Sequence, residues 1–175
     1  MGQPIFDRNF EPHYGDCVIL RPTVRRIVAH NPSAFTFHGT GTYVLGQGEV
    51  AVIDPGPDDP RHLEAILNAL LGETVTHILI THTHRDHSPL AAALKEATGA
   101  PTYGYGPHGG DRMGEAVEEG ADHSFVPDHV LKDGDLVSGP GWTVEAVHTP
   151  GHTSNHLCFS YRDRNVLFSG DHVMG

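Results

Sequence analysis

The chain has 175 residues, 38% of them hydrophobic and 19% charged, and carries a formal net charge of −11. That length suits one domain with its own core and is short for two. The acidic balance argues against a general polyanion binder, and no apolar run approaches the length of a membrane span.

Residues 1–16 read as an irregular lead-in, without the basic stretch and apolar segment of a secretory signal, so a cytoplasmic protein is expected. "VILRPTVRRIVA" (Val18 to Ala29) is rich in β-branched residues and predicts one or two strands, with Pro22 at an edge or bend. "TYVLGQGEVAVID" (Thr42 to Asp54) predicts a hairpin around Gly-Gln-Gly. Asp59 caps a helix with Pro60 in its first position, and Leu63, Ile66, Leu67 and Leu70 fall on one face. "VTHILI" (Val75 to Ile80) is a short strand expected to be buried on both sides. Ser88 and Pro89 then open a helix that Gly99 closes. Residues 106–124 show little periodicity and read as a flexible loop, with a short helix around Met113 to Glu119. From Val130 onward the pattern is β: "HVLKDGDLV", "WTVEAVH", "NHLCFSY" and "NVLFSGD". The order predicts an α/β layered domain over 1–175, not a purely doubly wound sheet.

Cys17 and Cys158 lie far apart in no CxxC pair and read as free thiols. Histidine is the unusual count, at 15, and it is the commonest metal ligand. The densest run is "THTHRDHSP" (Thr81 to Pro89), directly after an apolar strand. In extended backbone, residues i and i+2 share a face, so His82 and His84 can clasp one ion. A turn into the following helix swings Asp86 and His87 toward a second. An isolated HxH is common by chance; HxHxDH between a buried strand and a capped helix is far more specific. Imidazole and carboxylate suit zinc, and a carboxylate-rich second position also admits manganese or iron. "HTPGHTSNH" (His148 to His156) and "LFSGDH" (Leu167 to His172) each follow another apolar strand and offer further ligand types.

These three stretches, in this order, resemble the metallo-beta-lactamase superfamily. "NPSAFTFHGTGTYVLGQGEVAVIDPG" followed by "THTHRDHS" is most similar to the branch containing beta-lactamase-like protein 2, with glyoxalase II more distant. The resemblance implies an αββα sandwich, of which this chain carries the first half and the opening of the second. It implies two metal ions. His82, His84 and His152 hold the first, Asp86 and His87 the second, and Asp171 bridges them. It marks Asp54 as the carboxylate that steadies the histidine loop, although a strand-end turn cap is an equally good reading. His38 borders the active-site face in relatives and is a candidate for substrate contact. His156 is expected to make a structural hydrogen bond behind the site, and His172 to point away from it.

The implied chemistry is hydrolysis by a hydroxide that two metal ions activate, with Asp86 orienting the nucleophile and taking its proton. The substrate class is an ester, thioester, lactone or phosphodiester, either a small molecule or a nucleic acid. One alternative is a single-strand RNA endonuclease; another is a metal-binding fragment without catalysis. The family pattern also has a later histidine in a PGHG-like stretch, and none follows Asp171 before Gly175. A chain truncated after the GD motif is the expectation. A weakly held second ion and self-association through exposed strand edges would follow.

Overall fold

The computed structural model describes residues 10–109 and 120–173. Most of the 1–16 lead-in, the short helix expected at 113–119 and the centre of the expected 106–124 loop fall outside the described residues.

Eleven strands and two α-helices are present among the described residues. In chain order they are β1 (Val18–Arg21), β2 (Val24–Val28), β3 (Gly41–Gln47), β4 (Glu49–Ile53), α1 (Pro60–Ala69), β5 (Thr74–Leu79), α2 (Leu90–Thr98), β6 (Thr102–Gly104), β7 (His129–Val130), β8 (Leu136–Gly139), β9 (Trp142–His148), β10 (Leu157–Tyr161) and β11 (Val166–Phe168). One sheet has the order β1-β2-β3-β4-β5-β6-β7; the other has the order β11-β10-β9-β8. The pairings from β1 to β4 are antiparallel. Those from β4 to β7 are parallel; α1 and α2 form the crossovers from β4 to β5 and from β5 to β6. The second sheet is antiparallel throughout.

Alternation along the strands builds two cores. On β4, Val50 and Val52 face the helices, packing with Ile66, Leu70, Ala91 and Leu94. Ala51 and Ile53 point the other way, onto Val144, Ala146, Leu157 and Phe159 of the second sheet. Neighbouring residues on one strand thus serve two interfaces, the period-2 rule for a sheet covered on both faces. The result is an α–β–β layering, in agreement with the expected mixed α/β sandwich. Edge strands β1 and β11 present Ile19 and Leu167 to solvent. No helix among the described residues is long and apolar enough to cross a membrane.

Local signals hold with two differences. Asp59 caps α1, accepting the Arg61 N–H at 2.9 Å, and Gly99 ends α2 in the left-handed region at φ 75°. Ser88 does not cap α2 through its side chain. The helix starts one residue later, with Pro89 at the cap position, and the Ser88 hydroxyl donates to Asp122 at 2.6 Å, a charge-assisted bond. "HVLKDGDLV" is not one strand: His129 and Val130 extend the first sheet and Leu136 begins the second. The Lys132–Asp135 turn between them is closed by the Asp135 carboxylate.

Candidate metal centre

The ends of β4, β5, β9 and β11 open onto one edge of the sandwich, and every ligand-rich loop leaves from one of these ends. A backbone bond from Leu157 N–H to Thr81 C=O, at 2.7 Å, ties the two sheets together there. The structure brings all six sequence-predicted ligands together. The His82, His84, His152 and Asp171 donor atoms form one group, and those of Asp86, His87 and Asp171 a second; within each group all lie within 4.8 Å of one another.

In the first group, His84 Nδ1 lies 3.2 Å from His82 Nε2 and 3.0 Å from His152 Nε2. Asp171 Oδ2 is 3.3 Å from His152 Nε2 and 3.8 Å from His82 Nε2. A tetrahedral zinc with nitrogen ligands at about 2.0–2.1 Å has ligand–ligand edges of about 3.3 Å. These side chains are therefore arranged as corners around a common centre. In the second group, His87 Nε2 lies 3.1 Å from Asp86 Oδ2 and 3.3 Å from Asp171 Oδ1. Asp171 thus turns one oxygen to each group.

Asp54 organises the histidines from behind. It follows β4 with φ 49°, a left-handed conformation uncommon outside glycine and asparagine or aspartate. Its carboxylate is buried and accepts three hydrogen bonds: Thr81 N–H at 2.8 Å, Thr81 Oγ1–H at 2.7 Å and His87 Nδ1–H at 3.0 Å. The Thr81 proton is committed to Asp54, so Thr81 Oγ1 accepts from His82 Nδ1 at 3.0 Å. Both imidazoles are thereby held as Nδ1–H forms with Nε2 facing the site. Asp54 thus contacts the histidine loop directly, through Thr81 and His87. His156 is buried beside His82, their ring centroids 4.9 Å apart. Its Nδ1 bonds Thr149 Oγ1 at 2.9 Å and its Nε2 accepts the Asp171 N–H at 3.2 Å. Gly170 has φ 48°, and a Cβ there would fall 2.7 Å from Thr81 Oγ1 and 2.8 Å from His156 Nε2. The glycine of the GD pair is what lets Asp171 approach.

The electrostatics favour a cation. Burial, with His87 next, pushes His82 well below its usual range. Burial, with His152 next, pushes His84 and His156 down to about 4, so these rings are neutral donors. Burial opposes ionisation of Asp86 and Asp171. The charge of His87 on Asp86, and hydrogen bonds from His152 and His87 on Asp171, override it and hold both carboxyls below the usual range. Burial likewise opposes charge on His87, yet Asp54 and Asp86 raise it well above its usual value. That upward push on His87 against its desolvation cost shows that the surrounding carboxylates favour positive charge here.

His38 lines a cavity of ≈ 740 Å³ that also reaches Asp86, His87 and Asp171 and is bordered by Phe35, Phe37 and Tyr43. The His172 ring lies tilted against that of His156, with centroids 6.1 Å apart and planes at 43°. Three polar residues escaped the sequence reading. Thr40 donates to Asp86 Oδ2 at 2.7 Å. Thr83 Oγ1 meets His108 Nδ1 at 2.9 Å. Asn155 pins Thr83 Oγ1 at 2.9 Å while also reaching Gly106 C=O at 3.2 Å. The only sequence signal was their place beside ligand-rich loops.

Comparison with known proteins agrees with this geometry. A lactamase-like protein of Pestalotiopsis microspora is 32% identical over 167 residues, 94% of this chain and 48% of that protein. An atrochrysone carboxyl ACP thioesterase of Cryptosporiopsis sp. (strain 8999) has the same identity and coverage. The chain spans about half the length of these curated relatives. Among solved structures, a beta-lactamase domain protein from Burkholderia ambifaria superposes with TM-score 0.71 at 24% identity, over 95% of this chain and 59% of that one. That likeness bears on the fold. The family model described as "Metallo-beta-lactamase superfamily" matches residues 36–174, and with its HxHxDH, PGHT and GD stretches converging on one centre, the chain belongs to that superfamily.

Proposed function

We propose that this centre holds two divalent ions, zinc at both positions being the simplest choice, and that the protein hydrolyses an acyl thioester. The observation that carries the reading is the split of Asp171: Oδ2 faces His82 and His152 while Oδ1 faces His87, the arrangement a bridging carboxylate needs. His82, His84, His152 and Asp171 would hold the first ion; Asp86, His87 and Asp171 would hold the second. Four donors against three makes the first position the tighter one. Such ions, when bound, supply Lewis acidity and lower the pKa of water toward neutrality.

The chain's own residues do the rest. Asp86, an ionised acceptor at the junction of centre and cavity, orients the attacking water and takes its proton. Asp54 and Thr81 keep His82 and His87 in the tautomers that leave Nε2 as a donor. The cavity bordered by Phe35, Phe37, His38 and Tyr43 receives the acyl group. The thioesterase name of one relative supports a thioester over a lactone or phosphodiester. The net charge of −11 weighs against single-stranded RNA. The stretch from Asn31 to Gly56 supports an assignment within the superfamily to the branch of beta-lactamase-like protein 2.

Metal content per chain, with turnover on acyl-pantetheine thioesters, lactones and single-stranded RNA, tests this. Two ions per chain and thioester turnover that falls at least about a hundredfold in Asp86→Ala are expected. Bound metal with no turnover on any panel member would make the protein a metal-binding module. RNA cleavage without thioester hydrolysis would overturn the substrate class.

A further inference from the structure

The loop from β2 to β3 carries a hydrogen-bond relay that ends on Asp86. Thr40 is buried, and its hydroxyl lies 2.7 Å from Asp86 Oδ2. The other side of that hydroxyl faces Asn31. Asn31 Nδ2 donates to Thr40 Oγ1 at 3.1 Å, and Asn31 Oδ1 accepts the Thr40 N–H at 2.9 Å. A hydroxyl has one proton. With Asn31 donating into Thr40 Oγ1, that proton has a single destination, the Asp86 carboxylate. The amide end of the relay is itself fixed, because Asn31 C=O accepts the Thr36 hydroxyl at 2.5 Å and Ser33 Oγ accepts the N–H groups of Phe35 and Thr36.

The oxygen that receives the Thr40 proton is the one that meets His87. Asp86 Oδ2 lies 3.1 Å from His87 Nε2, so an unsupported carboxylate could rotate about its terminal torsion and present either oxygen, that torsion being broad. Resting on the reading of Asp86 as a residue of the second metal position, we propose that Thr40, oriented by Asn31, is the positioning residue that holds Asp86 Oδ2 toward His87 and Asp171. The residues that aim Asp86 then belong to the same loop as Phe35, Phe37 and His38, which border the cavity. The loop that receives the acyl group also sets the carboxylate that acts on it.

Two near-isosteric substitutions test the relay. Thr40→Val removes the hydroxyl and keeps the shape. Asn31→Asp keeps the acceptor for Thr40 N–H but cannot donate, so residue 31 becomes a second acceptor that competes with Asp86 for the one Thr40 proton. Thr40→Ser keeps the hydroxyl. Zinc affinity by chelator competition is expected to fall about 10–100-fold at the weaker position in Thr40→Val and Asn31→Asp, with the tighter position unchanged and Thr40→Ser near wild type. On the thioester, kcat falls in the first two while KM holds. In metal-free crystals, Asp86 keeps its rotamer in wild type and Thr40→Ser and turns in the other two. Unaltered Asp86 geometry and zinc affinity in Asn31→Asp would overturn the relay. So would equal impairment of Thr40→Ser and Thr40→Val, which would make packing the cause. If Thr40→Val does not fold, Asn31→Asp carries the decision. The crystal and zinc readouts separate this inference from the thioesterase reading, which fails if the wild type binds two ions and turns over no thioester.

Discussion

Asparagine at position 54 should disable two metal-facing nitrogens at once without touching either. The Asp54 carboxylate accepts from Thr81 N–H, Thr81 Oγ1–H and His87 Nδ1–H. An asparagine has one acceptor oxygen. If that oxygen keeps the Thr81 amide, its NH₂ points at the Thr81 hydroxyl and at His87 Nδ1. The Thr81 oxygen then accepts, and its proton must go to His82 Nδ1. His82 and His87 both switch to Nε2–H forms, and the nitrogens facing His84, Asp86 and Asp171 lose their lone pairs. Outer-shell partners are each worth about 10–100-fold in metal affinity, so affecting two ligands predicts a loss of at least about a hundredfold. Three hydrogen bonds to a charged acceptor become neutral ones, which costs roughly 2–4 kcal/mol of stability in the metal-free protein. Chelator competition gives the affinity, and imidazole nitrogen NMR reads the tautomers directly. Asp54→Asn protein that binds zinc within about threefold of wild type, with both rings still Nδ1–H, would refute the reasoning, because the expected outer-shell effect is at least tenfold.

Gly170→Ala must push a Cβ against Thr81 and His156 while holding φ near 48°. Strain and overpacking together should lower stability by about 2–4 kcal/mol in urea denaturation, and unchanged stability would show that this loop is free to move. His62 is buried with Nε2 2.8 Å from Thr42 Oγ1, and burial pushes it down to about 4. Its folded pKa lies below its unfolded value of 6.5, so the unfolded chain takes up the proton first. Stability is lost as pH falls from 6.5 toward 4. Between about pH 7.5 and pH 4.5 this one residue should account for on the order of 2 kcal/mol. His62→Gln should remove that share of the pH dependence in parallel denaturation curves; an identical dependence in the variant would contradict it. Stripping metal with a chelator should lower Tm by roughly 5–10 °C, as loss of a ligand present at about 100 times its Kd predicts. A chelated protein that melts with the untreated one would argue against occupied sites.

Much of this centre is legible along the chain because its donors are clustered locally. Four of the six, His82, His84, Asp86 and His87, sit within a few residues after β5, and the other donor-bearing stretches each follow an apolar strand. Strand periodicity and the chain order of the three stretches are sequence properties, and so is the glycine before Asp171. The helix limits at Asp59 and Gly99 were readable for the same reason, since a cap or a left-handed stop is written in one or two residues. Asp54 apart, which the resemblance already marked, the partners that set tautomer and aim were not readable, nor was which groups Asp54 holds. Asp54 and Thr81 are 27 residues apart, Thr40 and Asp86 46, and Thr83 and Asn155 72. A threonine or asparagine in a loop has many ordinary uses, and only the folded chain shows which donor reaches which acceptor. The assignment of His129 and Leu136 to different sheets was hidden likewise, since both lie in one β-rich run and only packing separates them.

Residue types and short-range spacing thus determined which atoms can bind a metal and that they sit at strand ends. The tertiary structure decided how Asp171 divides its two oxygens and which nitrogen each histidine presents. It also decided that a loop from β2 to β3 touches Asp86. The physical reason is that coordination geometry and proton placement depend on distances of about 3 Å between groups far apart in the chain, and those distances exist only once the two sheets have closed on each other.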